Sequence, residues 1–134
     1  MKLEKSQIAG IIIAFILIGA VIVWALSNKK KLLDNYKITN AIVNDCYSGG
    51  IGHVGITILY RFNLEGKEIT GTATFNNDIL SLPNAKQYVL GKTFPVAYNP
   101  QHPSNNSLII RKKDFNQFNI NMPDSLKWLL KYVH

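Results

Sequence analysis

Cys46 follows Asp45 directly and precedes His53 by seven positions, and His102 comes later in the chain. A thiol nucleophile needs an imidazole within hydrogen-bond reach and a third group to orient that imidazole. Cys46 and His53 bracket the connection between two expected strands, so the pair can be imagined in contact. Their spacing fits no nucleophile motif. One Cys and three His, one of them terminal, also lack the paired spacing of a metal site. The expected reading is a buried strand cysteine, with no catalytic, cofactor-binding or metal-binding residue and no enzymatic activity.

Two glycine-containing segments invite a nucleotide and do not fit one. Gly91-Lys92-Thr93 looks like the end of a phosphate-binding loop, but Lys86 stands where that motif needs its first glycine. The segment also precedes an expected strand, where a phosphate loop opens a helix. Gly49-Gly50-Ile51-Gly52 has no GxGxxG spacing and reads as a hairpin connection.

The element with the strongest signal is Ile8 to Leu26, nineteen residues without a charge, twelve of them Ile, Leu, Val or Phe. That length crosses a hydrocarbon core as a helix, and the composition favours insertion by roughly 4 to 7 kcal/mol. A cleaved signal peptide is the rival. It is disfavoured because the apolar run is too long and Lys29, Lys30 and Lys31 follow at once. The expected organisation is a tail (1–7), a span (8–26), a basic linker (27–35), a β domain (36–112) and a tail carrying an amphipathic helix (113–134).

The net charge of +7 is unevenly placed: eight basic and five acidic residues lie between Tyr36 and Met122. Much of the excess is a juxtamembrane cushion for lipid headgroups, and nucleic acid is not expected as a partner. Counting Lys2, Lys5 and the α-amino group against Lys29, Lys30, Lys31 and Lys37 puts the C-terminal domain in the cytoplasm of a cell-membrane protein, by a narrow margin. Gly10 and Ala14 offer one small-xxx-small spacing through which a homodimer could form.

From Tyr36 the pattern becomes strand-like. Ile56, Ile58, Tyr60 and Phe62 alternate with polar or smaller residues, as do Ile69, Gly71, Ala73 and Phe75. A two-residue loop at Glu65-Gly66 pairs Phe62 with Ile69, Tyr60 with Gly71, Ile58 with Ala73 and Ile56 with Phe75, all on one apolar face. Tyr60 would then cover the bare Gly71. Further strands are expected at Ile38–Cys46, Thr93–Tyr98 and Leu108–Arg111, with at most a helical turn in Asp78–Leu90. Pro95 cannot donate a ladder hydrogen bond, which predicts an edge position. The fold class is an all-β barrel or sandwich meander of about five strands.

In the tail, Leu126, Leu129, Leu130 and Val133 fall at helical spacing after Pro123-Asp124. Trp128 and Tyr132 project from the other side between Lys127 and Lys131. Docking of the Leu face on the barrel is expected, and Trp128, Lys131 and Tyr132 are candidates for the membrane interface together with Lys29, Lys30 and Lys31.

Pro100 and Pro103 make a rigid corner after Tyr98. Here the chain resembles a bacterial family of small membrane-anchored proteins whose domain ends in G-x-x-x-x-V-x-Y-x-P-x-x-P and carries an earlier aromatic–glycine hairpin. The matching residues are Gly91, Val96, Tyr98, Pro100 and Pro103, with Tyr60, Phe62, Gly66, Ile69 and Gly71 before them. The resemblance implies a membrane-bound β domain and lends no activity. The function expected is a non-catalytic binding or accessory module for a protein partner at the same membrane. Its candidate surface is Pro95, Tyr98, Pro100, His102 and Pro103, with strand addition beside Pro95 as one mode. The alternative is an immunity-type protein that neutralises a membrane-acting toxin.

Overall fold

The computed structural model describes residues 4–49 and 55–133. Its first element is one uninterrupted helix, α1 (Lys5–Asp34). The isoleucines and valines of this run are indifferent helix formers in water, but an apolar medium forces every backbone group to bond within its own segment. The apolar stretch is long enough to cross a membrane, and none of it is buried against the rest of the chain.

Within the expected basic linker (27–35), residues 27–34 form the last two turns of α1. Ser27 to Asp34 contains no Gly or Pro and is rich in Lys and Leu, which are good helix formers. Leu32 fixes the end of the helix by packing into the folded domain, where only 5% of its surface stays exposed.

Five antiparallel strands follow: β1 (Lys37–Ser48), β2 (Ile56–Leu64), β3 (Lys67–Phe75), β4 (Thr93–Tyr98) and β5 (Asn106–Leu108). Their order is β3-β2-β1-β4-β5, and β3 approaches β5 so that the sheet is a nearly closed barrel. β1 makes this curvature possible. Its first half pairs with β4 and its second half with β2, and the register shifts between Val43 and Asp45. That bulge bends the strand and resets the alternation, so that Ala41, Val43 and then Cys46 all point inward.

The β2–β3 hairpin has the register anticipated from its alternation: Ile56, Ile58, Tyr60 and Phe62 pair with Phe75, Ala73, Gly71 and Ile69. Glu65 and Gly66 both take positive φ, at 51° and 80°, as a type I′ turn demands. The β1–β2 connection, with Gly50 to Val54 and therefore His53, lies outside the described residues.

Pro95 is not on an edge. β4 lies between β1 and β5, which removes strand addition beside Pro95 as a mode of binding. The strand tolerates the proline because its missing N–H faces the end of the three-residue β5. Its carbonyl still accepts the Ile109 N–H at 2.9 Å. β5 itself begins two residues earlier than expected, directly after the corner.

Beyond β5 comes a helix the alternation did not reveal, α2 (Lys112–Gln117). Asp114 starts it by accepting the Arg111 backbone N–H (3.0 Å) while holding that arginine's guanidinium at 3.1 and 3.0 Å. Between β3 and β4, a helical turn (Leu82–Asn84) runs into a π-helical stretch (Ala85–Val89).

The expected amphipathic helix of the tail is present as Asp124–Lys131, wound as a 3₁₀ helix. With three residues per turn, Leu126 and Leu129 align while Leu130 rotates away and is 42% exposed.

Two apolar clusters result. The barrel interior holds Ile56, Ile58, Tyr60, Phe94, Val96 and Leu129, among others. On the barrel's outer face Leu32, Ala97, Ile109, Phe115 and Phe118 form a second cluster, with Leu33 and Tyr36 packed on it. The long helix is thus joined to the barrel by a small core of its own.

Candidate functional site

The corner between β4 and β5 is built by Asn99. Its side chain accepts the backbone N–H groups of Gln101 (2.9 Å) and His102 (3.3 Å), forming an Asx turn. Its own N–H donates to the Asn105 carbonyl at 3.0 Å. With Pro100 and Pro103 fixing two φ angles, the corner is set before anything binds to it.

The corner forms one wall of an open cleft of about 820 Å³. The opposite wall is the tip of the β2–β3 hairpin, from Leu64 to Thr70, and Tyr98 and Lys37 lie between the two. Tyr98 stands against Phe62, with ring centroids 5.8 Å apart. Leu64, Ile69, Tyr98 and the two prolines supply apolar surface. Lys37, Lys67, Glu65 and Glu68 supply two charges of each sign. A cleft of mixed polarity with balanced charge suits a protein segment better than a polyanion.

Tyr98, Pro100, His102 and Pro103 of the sequence-derived surface therefore come together here, whereas Pro95 does not line the cleft. Alternation within single strands could not supply the hairpin-tip wall, because β1 and β4 intervene in the sheet.

The corner also touches α1. Asn105 donates its side-chain amide to the Asn28 carbonyl at 2.9 Å, and Asn99 donates to the Lys31 carbonyl at 3.5 Å. Tyr36 completes the junction: its hydroxyl donates to the Phe118 carbonyl at 2.7 Å, and the two rings meet edge to face at 5.0 Å. Of these junction residues the sequence singled out Lys31, and that for the membrane interface rather than for a contact with the barrel. The one available signal was the Leu32-Leu33 pair directly after the lysines.

Lys29, Lys30 and Lys31 are exposed on α1. Trp128 and Tyr132 instead join Tyr88. Tyr132 stacks on Tyr88 at 4.0 Å, Trp128 lies 6.1 Å from it, and the Lys131 ammonium sits 5.6 Å over the Tyr132 ring.

Cys46 is buried at 1% exposure, and its thiol faces the Ala85 carbonyl at 3.9 Å. Burial, reinforced by the Asp45 carboxylate and opposed by Lys86, pushes the thiol from about 9 up to about 11. The thiolate that alkylation requires is therefore scarce at neutral pH. The unfolded chain releases this proton more easily than the folded one, so the fold loses stability as pH rises between about 9 and about 11. We expect Cys46 to resist iodoacetamide at pH 8 in the folded chain and to react in guanidinium. Rapid labelling without denaturant would show that the thiol is accessible. Tyr60 is likewise held protonated: burial raises its phenol above the ordinary range, partly offset by a hydrogen bond with the Leu108 backbone.

Among the described residues no group of three or more His, Cys, Asp or Glu is placed to hold a metal ion. No family model, curated protein or solved structure matches the chain.

Proposed function

We propose that this chain is a single-pass membrane protein whose β-barrel domain is a non-catalytic binding module. Its partner is a protein in or beside the same membrane, and it binds in the cleft between the Pro100–Pro103 corner and the hairpin tip. The observation that carries this reading is the cleft's position. The wall that closes it is hydrogen-bonded to the last turns of the apolar helix, within reach of whatever else stands at that membrane. Anchoring raises the effective concentration of such a partner, so a modest interface suffices. The lysines after the span favour a cytoplasmic barrel, in keeping with the membrane-anchored family that the closing motif resembles.

A photo-crosslinking residue at Gln101, on the cleft wall, should capture a discrete membrane protein in cells. The same residue at Thr74, exposed on β3 away from the cleft, should capture none. A C-terminal reporter that requires the cytoplasm should be active in the same strain. Equal capture from both positions would remove the cleft as the binding surface, and an inactive reporter would reverse the orientation.

A further inference from the structure

The corner shares a second, smaller pocket with the helix. Its volume is about 490 Å³, and it lies between Trp24, Asn28 and Lys31 of α1 and His102, Ser104 and Asn105 of the corner. Positions 24, 28 and 31 recur at i, i+4 and i+7, so they form one face of the helix. Trp24 is the last aromatic residue of the apolar run, two residues before its end, which is where an indole settles at a membrane–water boundary. At 1.5 Å per residue, Asn28 stands about 6 Å and Lys31 about 10 Å further along the axis. The headgroup layer beyond the hydrocarbon edge is roughly 5 to 8 Å deep. Asn28 therefore stands at the depth of lipid phosphates, and Lys31 stands just beyond that layer, with a side chain long enough to reach back into it.

The chemistry of the lining fits that depth. Lys31, His102, the Ser104 hydroxyl and the amide of Asn28 are all able to donate, and no carboxylate lines the pocket. Among the described residues Lys31 forms no ion pair. The pocket on the helix's other flank differs: beside Lys29 and Arg111 it is lined by a carboxylate, Asp114, which holds the arginine at 3.0 Å.

We propose that this pocket seats the phosphate of an anionic bilayer lipid, clamped between Lys31 and the His102–Ser104 wall. The proposal rests on the membrane-anchored reading above. It makes the lipid a structural component of the corner, since His102 and Ser104 also line the partner cleft. Lipid occupancy would thereby bear on the cleft wall from behind.

The test uses the full-length chain in detergent, titrated with phosphatidylglycerol, with bound lipid counted by native mass spectrometry. One lipid per chain should be retained. Lys31→Gln and His102→Ala should each weaken it, the former about tenfold, as expected for loss of a charge-assisted contact. Lys30→Gln removes the same charge from a position lining neither pocket and should change affinity less than twofold. Because the Lys31 carbonyl, not its side chain, meets Asn99, the substitution leaves the junction intact. Equal weakening by Lys30→Gln and Lys31→Gln would reduce the effect to a diffuse surface charge and overturn the pocket. Displacement of the lipid by millimolar inorganic phosphate would reassign the site to free phosphate and overturn it as well. Alkaline carbonate extraction of membranes separates this result from the anchor. A chain released to the supernatant defeats both readings, while a retained chain without Lys31 selectivity defeats the pocket alone.

Discussion

Gly71→Val should destabilise the protein by about 3 kcal/mol, although valine is a far better strand residue than glycine. A Cβ at position 71 would run into the Tyr60 ring and the Asn106 side-chain oxygen. Neither neighbour can step aside. Tyr60 is fully buried, and its hydroxyl donates to Asn106 Oδ1 at 2.6 Å. The Asn106 amide in turn donates to the carbonyls of Pro103 (2.9 Å) and Ser104 (3.2 Å). Gly71 is where β3 meets β5, so the added methyl groups would part the two strands that close the barrel. Overpacking costs roughly 1 to 3 kcal/mol and the lost buried hydrogen bond about 1 more. Denaturant melts of the full chain in detergent measure this, with Thr72→Val, exposed on the same strand, as a control expected to stay within about 0.5 kcal/mol. A Gly71→Val midpoint at or above wild type would mean that the strand edges do not meet at this residue.

The same Tyr60–Gly71 pair shows why part of the fold was legible in the sequence. A two-residue period and a two-residue turn leave a hairpin with one register that keeps its apolar side chains on one face. The tyrosine-over-glycine contact follows from that register alone. Long-range closure does not. Nothing local to Asn106 says that it caps Tyr60, because the two are brought together by a sheet order that places β1 and β4 between β2 and β5. Pro95 misled for a related reason. A proline signals a missing donor, and an edge is only one place where a donor can be missing; the end of a three-residue neighbouring strand is another.

The site divides in the same way. Tyr98, Pro100, His102 and Pro103 were visible because two prolines and an Asx-capable residue build a corner from local chemistry. The hairpin-tip wall needed tertiary information. The junction was hidden in a different way: Leu32 and Leu33 follow three lysines, and a basic run after an apolar span reads as a solvated linker. Phe115 and Phe118 carried a faint i, i+3 signal, too short to define a helix without its Arg111–Asp114 start.

Phe118→Ala should release α1 from the barrel while leaving the barrel folded. Phe118 is 3% exposed in the outer cluster with Leu32, Ala97, Ile109 and Phe115. Its ring meets Tyr36 edge to face, and its carbonyl receives the Tyr36 hydroxyl. Truncating such a ring costs about 3 to 5 kcal/mol. That loss falls mainly on the junction, because Phe118 belongs to the outer cluster, which shares with the barrel interior the partly buried Met122 and Leu126. Trypsin reads this directly. Lys29, Lys30 and Lys31 are exposed but helical, and cleavage there requires the end of α1 to open. If opening is rapid compared with cleavage, 3 kcal/mol raises the open population by about a hundredfold, and the released fragment should accumulate faster by a similar factor. Trp128→Ala, which touches the Tyr88–Tyr132 stack, should leave that rate unchanged. If Phe118→Ala lowered the global melting midpoint but left cleavage at these lysines at the wild-type rate, the ring would belong energetically to the barrel and the helix would be held by its other contacts, the packing of Leu32 and the Asn99 and Asn105 hydrogen bonds. Under the function proposed above, the outcome bears on binding through one distance: a joined helix would keep the His102 corner at a fixed depth beside the bilayer, and a released one would let the cleft move away from it.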